Sequence, residues 1–190
     1  LPPASVAHAV KTAAKLLAYS LLLRPGLYGA AMHLPLGLGR TPYEEHFRIS
    51  AYSPMLAGAP HLLFSRLDEL RHGREMNAQR ILRALEGCRQ ISAPQLLPAA
   101  APAWARLPVF ATDPSRRNQL IEALVGAGIG ATASYPSALN RVPQVAALLP
   151  PSDLQQPGAE QVAETIVTLP THAYVPEDAG KRIRAIVDSL

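Results

Sequence analysis

The chain has 190 residues, of which 48% are hydrophobic and 17% charged. That length fits one domain of ordinary size, or one domain with an appendage, and the composition excludes a disordered chain because a core can be built. The net charge of +4 is carried almost entirely by arginine, with Lys11, Lys15 and Lys181 the only lysines, and the solitary Cys88 excludes an internal disulfide and a cysteine-based zinc site.

A basic chain with a pI near 9.5 raises the question of nucleic acid. The arginines Arg66, Arg71, Arg74, Arg80 and Arg83 are dispersed along helical segments, and three Phe and one Trp provide no aromatic platform. They read as solvated helix faces, and no nucleic-acid partner is expected. A lone cysteine suits the reducing cytoplasm. The chain begins at Leu1 rather than at a methionine, so a further segment is expected upstream.

Residues 5–24 predict a helix. Val6, Val10, Ala13, Leu17 and Leu21 recur at helical spacing, Ser5 is placed to cap, and Pro25-Gly26 stops the run. The uncharged stretch 16–23 is far shorter than the roughly 20 residues a bilayer requires. Packing against a neighbouring domain is expected rather than binding to a membrane surface. Residues 26–54, broken by Pro35, Gly37, Gly39 and Pro42, read as a long connection. The expected organisation is therefore an N-terminal helix with its connecting segment over 1–54, and a small C-terminal domain over 55–190.

Residues 55–86 read as helical, with Leu63, Leu67, Leu70, Arg74, Ala78, Ile81 and Leu85 along one stripe, a start or kink at Pro60, and Gly87 just past the end. A proline-rich stretch at 94–102 precedes a predicted strand at 106–111. Asp113-Pro114 then marks a helix start, with a carboxylate cap followed by proline at the first position. That helix should stop at 126–128, giving way to a second strand at 129–135, a long loop at 136–160 and a third strand at 165–169. Pro176 should open the last helix, with Glu177 and Asp178 at the positive end of its dipole. The predicted class is α+β: a small two-layer module of about three strands with helices on one face, preceded by long helices.

Chemistry is sparse. The six histidines are dispersed without zinc-ligand spacing, and no Ser/His/Asp or Cys/His arrangement can be argued. Gly126, Gly128 and Gly130 follow a helix and precede a strand, the reverse of the order a nucleotide-binding fingerprint needs. No catalytic residue and no metal ligand are assigned, and His172 reads as a surface residue.

Three stretches are nevertheless familiar in combination. The long helix carries Arg74, Asn77-Ala78 and Leu85. The segment PVFATDPSRRNQLIEALVGAGIGATASYPSALN (108–140) ends its helix in Leu124, passes through Gly128-Ile129 and reaches Tyr135-Pro136. Glu160-Gln161-Val162-Ala163 is followed by TIVTLPTHAYVPEDAGKRI (165–183), with Leu169-Pro170 ahead of His172. Over about 55–190 these resemble the small C-terminal domain of the DegT/StrS family of pyridoxal-phosphate-dependent sugar aminotransferases, which have the aspartate-aminotransferase-like fold.

The resemblance implies transfer of an amino group from an amino-acid donor, typically glutamate, to a nucleotide-linked keto sugar. It also implies a homodimer and a cofactor held by a lysine in a large N-terminal domain. Lys11, Lys15 and Lys181 lie in no matching context, so this stretch is expected to bind no pyridoxal phosphate by itself. Within HFRISAYSPM (46–55), Arg48 stands where the family's Asn-Tyr-Arg-like segment approaches the cofactor phosphate of the neighbouring subunit. Tyr135 and Asn140 stand in the loop implied to meet the sugar, where Ser134 and Asn140 each replace a family histidine. A rival reading from a different class is a non-catalytic regulatory or protein-interaction α+β module that binds a partner through the same sheet and the apolar first helix.

Overall fold

A computed structural model describes residues 6–22, 56, 59–135 and 137–190, and the chain divides into two compact units, Leu1–Leu67 and Asp68–Leu190. In the first, helix α1 covers Val6–Leu22. It keeps Val10, Leu17 and Leu21 exposed, Leu17 to 64%. Helix α2, Ala59–Ser65, follows, with Pro60 in its first turn, where a missing backbone donor costs nothing. The single stripe expected over 55–86 is divided. The Arg66 amide turns back to the Leu63 carbonyl at 3.2 Å, and a separate helix α3 runs over Leu67–Ala84. No described helix is long and apolar enough to cross a membrane.

The second unit is built on a three-stranded antiparallel sheet in the order β1-β2-β3: β1 is Ile91–Ser92, β2 is Leu107–Ala111 and β3 is Ile166–Leu169. Ile91 faces Ala111, while Leu107 faces Leu169 and Val109 faces Val167. Central strand β2 alternates, burying Leu107, Val109 and Ala111. It tolerates Pro108 because β1 reaches only as far as Phe110 and leaves no β1 carbonyl waiting for the missing N–H.

Helix α4, Arg117–Gly126, is introduced by a 3-10 turn over Pro114–Arg116, which Asp113 caps through the Ser115 amide. Its end is a Schellman arrangement: Gly128 at φ +77° donates to the Val125 carbonyl at 2.9 Å, and Ile129 donates to Leu124 at 2.9 Å. The positive φ requires glycine there.

Three expectations are overturned here. Residues 129–135 form no strand: only Thr132 bridges Thr168. The amide of Ala131 folds back on the Ile129 carbonyl, and that of Tyr135 on Ala133, each at 2.7 Å. These tight turns on either side of Thr132 bend the segment off the sheet edge, and the third strand is β1 instead. The stretch 136–160 is likewise not one long loop. It holds a 3-10 turn at Leu139–Arg141, the short helix α5 at Pro143–Ala146, and the start of helix α6, Pro157–Thr165, which runs directly into β3. Prolines at the opening positions of these helices restrict φ while omitting a donor the first turn does not use. The last helix, α7, begins at Ala179 rather than at Pro176, because Pro176 accepts the Ala179 amide in a preceding turn.

The core gathers Ala78 and Ile81 of α3, Leu107 and Val109 of β2, Leu120 and Leu124 of α4, Val167 and Leu169 of β3, and Ile183 and Val187 of α7. Burying each of the larger side chains stabilises the fold by about 1.5–3 kcal/mol. Helices α3 and α7 approach closely at Gly180, where a Cβ would come within 2.9 Å of the Ala84 Cβ.

Candidate functional site

Tyr135 is exposed, to 65%, after the bend that replaces the predicted strand. Its neighbour Ser134 sits at φ +59°, a left-handed conformation that a non-glycine residue holds only with local support. That support is a knot of hydroxyls. Thr168 Oγ1 lies 2.9 Å from Ser134 Oγ and 3.0 Å from Thr132 Oγ1. Arg106 crosses to the same point, its Nε donating to Thr168 Oγ1 and its Nη2 to the Thr168 carbonyl, both at 2.8 Å. Nη2 also donates to the Gly130 carbonyl. Arg106 therefore ties the start of this bend, at Gly130, to Thr168, whose carbonyl also accepts the Thr132 amide at 3.1 Å.

Asn140 follows in the 3-10 turn and is only 6% exposed. Its amide donates to the Leu154 carbonyl at 3.0 Å and to Glu160 Oε1 at 2.7 Å, while Oδ1 is buried without a partner among the described residues. Arg141 completes the cluster, with Nη2 2.5 Å from Glu160 Oε2. The Arg141 hydrogen bond, followed by that of Asn140, holds the Glu160 carboxyl below its ordinary range. Of the two sugar-facing residues expected from the sequence, Tyr135 thus faces outward, and Asn140 faces the base of α6.

The chain leaving β3 is fastened separately. Thr171, fully buried, donates to the Trp104 carbonyl at 2.6 Å, and Asn77 donates to the Thr171 and His172 carbonyls, each at 3.0 Å. Arg74 donates to the Ala105 carbonyl at 2.6 Å, and Arg80 Nη2 donates to Asn77 Oδ1. His172 is exposed, and its Nδ1 accepts the Tyr174 amide at 3.3 Å. Partial burial, then the positive charges of Arg74 and Arg106, lower its pKa, so the imidazole is neutral at neutral pH.

Sequence spacing gave no hint of Arg106, Thr168 and Thr171 as organising residues. Arg106 and Thr168 are 62 positions apart, and only their positions at the starts and ends of predicted strands placed them near one another. Arg48 lies outside the described residues. Among the described residues no group of three or more His, Cys, Asp or Glu is placed to hold a metal ion.

Lys11 and Lys15 are exposed on α1, and Lys181 is exposed on α7. A covalently bound cofactor needs an enclosed amine facing an anion-binding cradle. These three exposed lysines do not fit that requirement.

With this geometry in view, comparison with known proteins places the chain. A family model described as the DegT/DnrJ/EryC1/StrS aminotransferase family matches residues 57–188. The chain belongs to that family, whose members are pyridoxal-phosphate-dependent sugar aminotransferases. No curated protein matches it. Among solved structures, DesV of S. venezuelae, in complex with a ketimine intermediate, superposes with a TM-score of 0.64 at 24% identity, covering 87% of this chain and 44% of that one. PseC of Helicobacter pylori, an aminotransferase involved in the biosynthesis of pseudoaminic acid, gives 0.61 at 14% identity, with 79% and 42% covered. TlmJ of Streptoalloteichus hindustanus, an aminotransferase, gives 0.59 at 24% identity, with 88% and 45% covered. At these identities the likeness is one of fold, and the chain spans less than half the length of each of the three.

Proposed function

We propose that this chain is the C-terminal portion of a pyridoxal-phosphate-dependent aminotransferase that transfers an amino group to a nucleotide-linked keto sugar. The observation that carries the reading is the conjunction of a family match over 57–188 with lysines that are all exposed on helices. The fold is that of the family, and on this reading the reactive amine comes from a large domain outside these residues. Residues 1–54 pack on that domain, and the assembled enzyme is a cytoplasmic homodimer. Arg48 reaches the cofactor phosphate across the subunit boundary.

Tyr135 meets the sugar nucleotide, its hydroxyl donating to or accepting from a ring or phosphate oxygen. Asn140 serves the same surface from beneath, because its amide fixes the turn that follows Tyr135 against Glu160. Asn140 Oδ1 is the one buried side-chain polar atom without a partner among the described residues, and it takes a donor from the substrate or from an ordered water.

The experiment is a transamination assay on the full-length natural protein, with glutamate as donor and nucleotide-linked keto sugars as acceptors. Tyr135→Phe is expected to raise KM about tenfold, the loss of one hydrogen bond made to a charged or strongly polar group, with the fold intact. An unchanged KM in Tyr135→Phe and Tyr135→Ala would remove the substrate assignment. The rival reading, a non-catalytic module, is met if the full-length protein shows no visible absorption band of bound cofactor.

A further inference from the structure

We propose that Thr168 is a positioning residue which, through its hydroxyl, holds the Ser134–Tyr135 turn in the posture that presents Tyr135; this rests on reading Tyr135 as a substrate contact. With Tyr135 65% exposed, little packing fixes the direction in which it points. Its posture is set by the backbone below it, and that backbone passes through the left-handed Ser134. A turn of this kind persists only where its surroundings hold it.

The holding atom is Thr168 Oγ1. It has four polar neighbours: Arg106 Nε at 2.8 Å, Ser134 Oγ at 2.9 Å, Thr132 Oγ1 at 3.0 Å and the Thr132 carbonyl at 3.2 Å. A hydroxyl offers one proton and two lone pairs. Arg106 Nε–H can only donate, so it claims one lone pair. The proton and the remaining lone pair are shared among the two other hydroxyls and the carbonyl. Thr168 is 5% exposed, so water cannot readily replace a missing oxygen. Strand β3 thus carries an atom whose capacity is fully used, and one of the groups it serves is the residue that aims Tyr135.

The main-chain part of the arrangement is independent of that oxygen. Thr132 and Thr168 exchange both backbone hydrogen bonds, at 3.1 and 2.8 Å. Arg106 Nη2 still reaches the Thr168 and Gly130 carbonyls. The near-isosteric Thr168→Val therefore removes the hydroxyl while leaving the strand pairing and the bridge in place, and Thr168→Ser returns the hydroxyl without the methyl.

The test uses the full-length natural protein, with hydrogen exchange of the Tyr135 amide and affinity for UDP-glucose as an unreactive probe of nucleotide-sugar binding. The Tyr135 N–H is held by the Ala133 carbonyl at 2.7 Å and reports the turn directly. Thr168→Val is expected to speed its exchange and to weaken UDP-glucose binding, each by about tenfold, while Thr168→Ser returns both to within about twofold of the wild type. Unchanged exchange at Tyr135 in Thr168→Val overturns the proposal. So does equal acceleration at core amides such as Leu124 and Val187 without recovery in Thr168→Ser, since that marks general loosening. Tyr135→Ala with UDP-glucose affinity unchanged, or a wild-type protein that does not bind the probe, overturns the substrate reading on which the proposal stands and the proposal with it. A faster Tyr135 amide in Thr168→Val would then still show that the turn depends on the hydroxyl, so the two failures are told apart.

Discussion

Asp113 and Glu160 carry carboxylates whose state is set by hydrogen bonding rather than by burial. The Ser115 hydroxyl and then its amide hold Asp113 below its ordinary pKa of 3.8, and Arg141 and then Asn140 hold Glu160 below 4.5. A carboxyl whose folded pKa is depressed stabilises the fold fully above its unfolded value, and that contribution is lost as pH falls through the lower folded value. The thermal midpoint should therefore fall as pH drops below about 4.5, and less steeply in Glu160→Gln. Equal slopes in the two proteins would contradict the assignment. His172 gives a second check at this scale: NMR titration should place its pKa below 6.5, with Nδ1 unprotonated in the neutral form. A value at or above 6.5 would mean that its partial burial and the charges of Arg74 and Arg106 do not act on it. The Asp113 cap was legible in the sequence, because Asp-Pro encodes both the acceptor and the fixed φ. The Arg106–Thr168 contact was not, because a long side chain that bonds to carbonyls leaves no periodic trace.

At the scale of elements, Gly180 tests the packing of α3 on α7. Helix propensity alone would favour alanine there by about 1 kcal/mol. The Ala84 Cβ at 2.9 Å and the Arg80 carbonyl at 3.1 Å leave no room for a new methyl. Gly180→Ala is expected to lower stability by about 1–3 kcal/mol in urea unfolding, as overpacking does; a stability equal to or above the wild type would show that the helices part freely. Ile183→Ala, at a fully buried position, should cost about 2–5 kcal/mol. Helices α1, α4 and α7 and strands β2 and β3 were legible from period, caps and stops, to within a few residues at their ends. The first strand was not, because two residues, Ile91 and Ser92, are too short to show alternation and acquire strand geometry only from β2. The false strand at 129–135 has the right composition. What defeats it is the pair of tight turns around Thr132, which limit the pairing with β3 to the single bridge at Thr168. The helices within 136–160 were hidden by the prolines that open them, which by composition alone resemble loop.

At the scale of the whole molecule, the fold, the family match and the positions of the lysines point the same way. The compact unit Asp68–Leu190 carries a core of its own and holds Tyr135 on a braced turn, while Lys11, Lys15 and Lys181 are all exposed on helices. The α+β class and the family were legible from three stretches in order; Tyr135 and Asn140, the residues proposed to meet the substrate, were legible only as members of a loop, because burial decides which of its side chains face outward. The most direct measurement is to reduce the full-length natural protein with borohydride in the presence of pyridoxal phosphate and to locate the resulting label by peptide mass spectrometry. The label is expected on a lysine outside these 190 residues. A label on Lys11, Lys15 or Lys181, or no specific label in a protein that binds the cofactor, would contradict the account.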